Sequence, residues 1–177
     1  MSEPLRERLS WAADSGAIVD GPRRYLMMRP DVLMGAVARL GFDAQRAWLD
    51  GWAESTRAHG IASLRAYVDS VGGEPEALMA MTADAAADLG WGRWTLRRES
   101  GGLALVMANS PFVAGWCAVD PDPARHAVCA PVRGMLHALA SLVLRGPLVV
   151  TEVDCAALHA VPDSVDHVCR FQAREVT

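Results

Sequence analysis

The sequence predicts an α+β domain, an antiparallel sheet with a helical layer. Three observations predict it. Two alternating segments carry turn signals in their middle, Asp20-Gly21 and Ser100-Gly101-Gly102, and each reads as a hairpin. Between them the apolar residues recur at helical spacing. After the second hairpin a long apolar helix precedes two closing strands. Strands that pair with their chain neighbours, with helices inserted between the pairs, give an antiparallel sheet rather than βαβ units.

The elements follow in order. "SEPLRERLSWAA" reads as a short helix with Pro4 in its first turn, and "GAIVDGPRRYLMM" as the first hairpin. "RPDVLMGAVARLG" has Pro30 to start a helix and Gly41 to stop it. In "DAQRAWLDGWAESTRAHG", Asp43 is a candidate cap, and Ala44, Ala47, Trp48, Trp52 and Ser55 share one face. "SLRAYVDSVG" and "EPEALMAMTADAAADLG" are predicted as two further helices, ended by Gly72-Gly73 and near Gly90. "WGRWTLRRESGGLALVMANS" is the second hairpin, and "SPFVAGW" an irregular crossover. "HAVCAPVRGMLHALASLVLRG" is the long helix, and "PLVVTEVDC" and "DHVCRFQAREV" are the closing strands. Residues 1–16 form a helical extension and 17–177 the domain proper.

Composition narrows the function. With 51% hydrophobic residues in 177, the chain can bury one sizeable core. A net charge of -4 argues against a nucleic-acid surface. No apolar run reaches the roughly 20 residues of a membrane span. The N-terminus has charges and no apolar run behind them, so it does not read as a signal peptide. A cytoplasmic protein is expected, with its four cysteines free, metal-bound or reactive rather than paired.

Three of these cysteines, Cys129, Cys155 and Cys169, bracket the long helix and the closing strands, and Glu152 precedes Cys155 by three residues. Thiolates and carboxylates are zinc ligands, and four of them close a tetrahedral site. In a regular strand, however, Glu152 and Cys155 face opposite sides. They converge only if the chain turns or bulges. Buried, unliganded cysteines are the other reading, since free Cys is among the most buried residue types. A redox pair lacks a CxxC motif. His159 and His167, between the last two cysteines, are alternative nitrogen ligands.

"AVCAPVRGMLHALASLVLRGPLVVTEVDC" followed by "HVCRFQ" resembles the C-terminal signature of the 4-vinyl reductase domain family. Cys129, Gly134, Gly146, Glu152, Cys155, Cys169 and Phe171 occupy its places. "YLMMRPDVLMGAVARLG" and "NSPFVAGW" resemble its hairpin-helix and crossover, so the likeness runs from about residue 17 to 176. The resemblance implies a ligand-binding fold similar to trafficking-complex subunits and haem-based gas sensors. It implies an internal pocket for small hydrophobic or aromatic molecules, and a zinc ion held by Cys129, Glu152, Cys155 and Cys169. Thirteen residues separate Cys155 from Cys169, where the family has a shorter loop.

Zinc with four protein ligands is structural rather than catalytic. Candidate pocket residues are Tyr67, Met79 and Met81 on the helices, Trp91 and Trp94 on the second hairpin, Met107 on its return strand, and Phe112 and Trp116 in the crossover. Core packing alone accounts for such residues equally well. Phenol-sensing relatives meet the hydroxyl with a histidine and a tryptophan, and the matching stretches "EALMAMT" and "LVMANS" have neither. The apolar helices "DVLMGAVARL" and "AQRAWLDGWA" suggest a homodimer. The expected protein is a stand-alone sensor or carrier that acts through an effector protein. A factor of tetrapyrrole vinyl reduction and a protein-interaction adaptor are the alternatives. No dinucleotide fingerprint or P-loop supports a reductase of its own.

Overall fold

The computed structural model describes residues 4–159 and 167–176. An N-terminal unit comprises α1 (Leu5–Arg8) and a three-stranded antiparallel sheet of β1 (Ser10–Ala12), β2 (Ala17–Asp20) and β3 (Arg23–Tyr25). Three helices follow: α2 (Pro30–Ala38), α3 (Phe42–Val71) and α4 (Pro75–Asp88). The second hairpin is β4 (Arg93–Glu99) and β5 (Gly102–Ala108), followed by α5 (Pro111–Cys117) and α6 (Ala130–Val143). The chain closes with β6 (Leu148–Asp154), a short 3-10 helix (Ala156–Leu158) and β7 (Cys169–Glu175). The main sheet is antiparallel, in the order β4-β5-β7-β6. The α+β class is the one read from the sequence.

Alternation decides which face of the sheet is core. Leu103, Leu105 and Met107 of β5, with Cys169, Phe171 and Ala173 of β7, point inward and are at most 1% exposed. Val132, Leu136 and Leu139 of α6 are fully buried in the same cluster. Each such side chain contributes roughly 1.5–3 kcal/mol of burial. α3 packs on α6 through glycine. A Cβ on Gly134 would lie 2.1 Å from the carbonyl oxygen of Ala53, so only a residue without a side chain lets these backbones meet. No described helix is long and apolar enough to cross a membrane.

Three expectations are corrected. The two helices read on either side of Gly60 are one helix, α3, of 30 residues. A helical glycine costs only about 1 kcal/mol against alanine. Gly60 is buried beside Met135 of α6, so its small size serves packing. The crossover "SPFVAGW" is helical: the Ser110 hydroxyl accepts a hydrogen bond from the Val113 amide, and Pro111 occupies the first turn. Ser10–Ala12, read as helix, is a strand that pairs with β2.

Candidate metal centre and ligand cavity

The four residues with metal-ligand chemistry converge. Cys129 stands at the N-cap of α6. Cys169 opens β7 opposite Met107. Cys155 follows β6 and caps the 3-10 helix. Glu152 lies in β6 opposite Phe171, an inward-facing residue. The next matched pair is Asp154 with Arg170, so Val153 is an extra residue on β6, a bulge. It reverses the alternation. Val153 turns out, 51% exposed, and Asp154 meets the outward-facing Arg170 at 3.0 Å. Cys155 then returns to the inside, on the same side as Glu152. This irregularity brings together two residues that a straight strand would separate.

The ligand atoms of Cys129, Glu152, Cys155 and Cys169 all lie within 4.8 Å of one another. The Cys129 and Cys169 sulfurs are 3.6 Å apart. For comparison, sulfurs bound tetrahedrally to one zinc at about 2.3 Å stand roughly 3.8 Å from each other. The Ala156 amide donates to the Cys169 sulfur at 3.4 Å, and the Ser110 hydroxyl lies 3.2 Å from that of Cys129. All three cysteines are 0% exposed.

Burial makes negative charge costly in this cluster. Burial, reinforced by the neighbouring Cys155, pushes the Glu152 carboxyl up to about 9. Its Oε1 is buried with no hydrogen-bond partner. Burial also drives the Cys129 thiol well up. The Cys129 and Cys155 thiols, with the Ala156 amide, bring Cys169 down to about 5. An orphaned carboxyl oxygen among three thiols is costly unless something binds it. The donor set fits a metal ion, and these four residues would hold one. His159 is exposed and pairs with Asp154 at 3.0 Å. His167 lies outside the cluster, its Nδ1 buried without a partner. The stretch 160–166 between them lies outside the described residues.

A second feature is a cavity of about 230 Å³. α3 supplies Thr56, His59, Gly60, Ser63, Leu64 and Tyr67. α4 and the start of the second hairpin supply Thr82, Ala85, Ala86, Leu89, Trp91 and Trp94. Leu5 and Tyr25 from the N-terminal unit and Met135 from α6 complete the lining. The Trp94 indole N–H donates to the Trp91 carbonyl at 3.0 Å. Phe112 stands behind Trp91, edge-on at 5.9 Å between ring centres, and meets Trp52 in the same way at 5.5 Å. Arg8 bonds both Asp20 and the Tyr67 hydroxyl, which ties the N-terminal unit to α3.

Of the sequence-predicted pocket residues, Tyr67, Trp91 and Trp94 are brought together at the cavity. Phe112 backs it without lining it. Met79, Met81, Met107 and Trp116 are outside its lining; Trp116 is buried and donates its indole N–H to the Asp122 carbonyl at 3.2 Å. Ser110 and the α3 stripe of Thr56, His59 and Ser63 are absent from the sequence reading. A helical spacing of three and four residues is their only signal, and every exposed helix face shares it. Ser110 joins the two features. It caps α5, which carries Phe112, and its hydroxyl touches Cys129.

No protein-family model matches the chain, and no curated protein matches its sequence. Among solved structures it is similar to the phenol-responsive sensory domain of the transcription activator PoxR, determined with phenol. The match has a TM-score of 0.72 at 17% sequence identity and covers 97% of this chain and 86% of that one. At that identity the likeness establishes a shared fold, and the α+β architecture described above is the fold of that sensory domain.

Proposed function

We propose that this chain is a sensor or carrier domain that takes a small hydrophobic or aromatic molecule into the cavity walled by Trp91, Trp94 and Tyr67. In this reading it belongs with the 4-vinyl reductase domain family, and zinc held by Cys129, Glu152, Cys155 and Cys169 braces the fold. The supporting observation is an aromatic-walled cavity, free of carboxylates and guanidinium groups, on the fold of an aromatic-responsive sensory domain. Zinc bound there would offset two of the four negative charges of the thiolates and the carboxylate, and would tie the start of α6 to the ends of β6 and β7. The protein's residues fill a tetrahedral set, which suits a structural ion. The cavity is smaller than the roughly 300–1,000 Å³ typical of drug-sized sites, so a tetrapyrrole reading gains no support from it. The test is a thermal-shift series with naphthalene as probe. Ligands that bind the folded state raise the melting temperature by linkage. No shift at saturation would sink the ligand reading.

A homodimer is part of this proposal. Trp11 is 61% exposed, Leu26 80%, Met27 75% and Val32 58%; they lie on β1, in the segment between β3 and α2, and at the start of α2. Apolar side chains so exposed support a surface covered by a second copy, with an effector protein of unidentified type beyond it. Light scattering at micromolar concentration should give twice the chain mass, and a monomer overturns this part.

A further inference from the structure

The cavity has two unlike walls. One is apolar: Ala85, Ala86, Leu89, Trp91 and Trp94. Two of its polar groups are already engaged. The Trp94 N–H is held by the Trp91 carbonyl, and the Thr82 hydroxyl donates to the Leu78 carbonyl at 2.7 Å. The other wall is α3, which presents Thr56, His59 and Ser63. Their spacing of three and then four residues stacks them on one helix face. Among the described residues, none of these three side chains hydrogen-bonds to the protein. No Asp, Glu or Arg side chain lines either wall.

Size adds a further constraint. An engineered apolar cavity of about 150 Å³ takes up benzene. The cavity here, about 230 Å³ and open on one side, has room for a second ring or an alkyl substituent. Against the wall of Ala85, Ala86, Leu89, Trp91 and Trp94 a charged group would lose its hydration with no counter-ion to meet it. A neutral hydroxyl or carbonyl would find donors and acceptors on α3.

We propose that the cavity selects an uncharged bicyclic or alkyl-substituted aromatic with one hydrogen-bonding group, its rings against Trp91 and Trp94 and that group on the Thr56, His59 and Ser63 stripe. This rests on the ligand-binding reading above and specifies the ligand class. Each neutral hydrogen bond contributes about 0.5–1.5 kcal/mol net, which is roughly two- to twelve-fold in affinity.

The experiment is calorimetric titration of the full chain with naphthalene, 2-naphthol and 2-naphthoate. 2-Naphthol should bind roughly two- to twelve-fold more tightly than naphthalene, and 2-naphthoate more weakly than both. In Thr56→Val/His59→Ala/Ser63→Ala the preference for 2-naphthol over naphthalene should vanish, measured as the ratio of the two affinities in that same variant. Should that variant fail to fold, Ser63→Ala alone should reduce the preference about two-fold. Equal binding of naphthalene and 2-naphthol by the native chain overturns the proposal but leaves the ligand reading standing. So does a preference that survives the substitutions, or tight binding of 2-naphthoate. If neither naphthalene nor 2-naphthol binds, both readings fall.

Discussion

The cysteine cluster and the cavity are built in opposite ways. The cluster is sealed and polar: three thiols and a carboxylate converge within 4.8 Å, and every cysteine is 0% exposed. The cavity is mostly apolar, and small residues, Ala85 and Ala86, stand in its wall where larger ones would fill the space. One site is defined by what its side chains supply, the other by what they leave out. The two should therefore fail differently. Removing a donor from the cluster costs stability, whereas adding bulk to the cavity costs binding and leaves the fold intact.

The largest expected effect is Cys155→Ser. Loss of a structural metal belongs to the short list of changes that cost more than about 4 kcal/mol. Metal analysis should fall from one zinc per chain to none, and urea unfolding should shift to match. Zinc retained at full stability would break the comparison at its first term.

Gly134→Ala comes next. A methyl group 2.1 Å from the Ala53 carbonyl forces α3 and α6 apart, at an expected cost of about 1–3 kcal/mol. Gly60→Ala is the contrasting case on the same pair of helices. Its new methyl meets the end of the Met135 side chain at 3.1 Å, which can move aside, so little stability should be lost. Paired denaturation curves check both, and equal losses would show that the close approach at Gly134 does not matter.

Ala85→Leu tests the cavity. It should weaken naphthalene binding at least tenfold while zinc content and melting temperature hold, because the added side chain fills vacant space beside the apolar wall. Unchanged binding would place the ligand elsewhere. The smallest effect expected on chain stability is that of Leu26→Ser/Met27→Ser. Surface changes usually stay within about 0.5 kcal/mol, yet light scattering should report loss of the dimer.

The same contrast governs what the sequence discloses. Cys129, Glu152, Cys155 and Cys169 are legible as a donor set because few residue types have that chemistry. What the residues alone do not disclose is how Glu152 and Cys155 share a face. The bulge at Val153 is set by pairing with β7, across the segment that separates the strands. The hairpins are local and therefore readable, from Asp20-Gly21 and Ser100-Gly101-Gly102 to within a residue of their turns at Gly21-Pro22 and Ser100-Gly101. Gly60 misleads as a helix stop because its buried contact with α6 is a tertiary fact. The cavity is legible only through its aromatics. Tyr67, Trp91 and Trp94 line it, whereas Met107 and Trp116, the same kinds of residue, do not. Nothing in the pattern separates an aromatic beside a void from one packed in the core. Alanines that leave space carry no signal at all.

Native mass spectrometry with added 2-naphthol tests the central claim most directly, that metal and ligand occupy separate sites in one chain. The expected spectrum shows each chain with one zinc and one 2-naphthol together, and gentle activation removes the ligand while the metal stays. A spectrum in which zinc and 2-naphthol exclude each other, or in which neither is found on the folded chain, would contradict it.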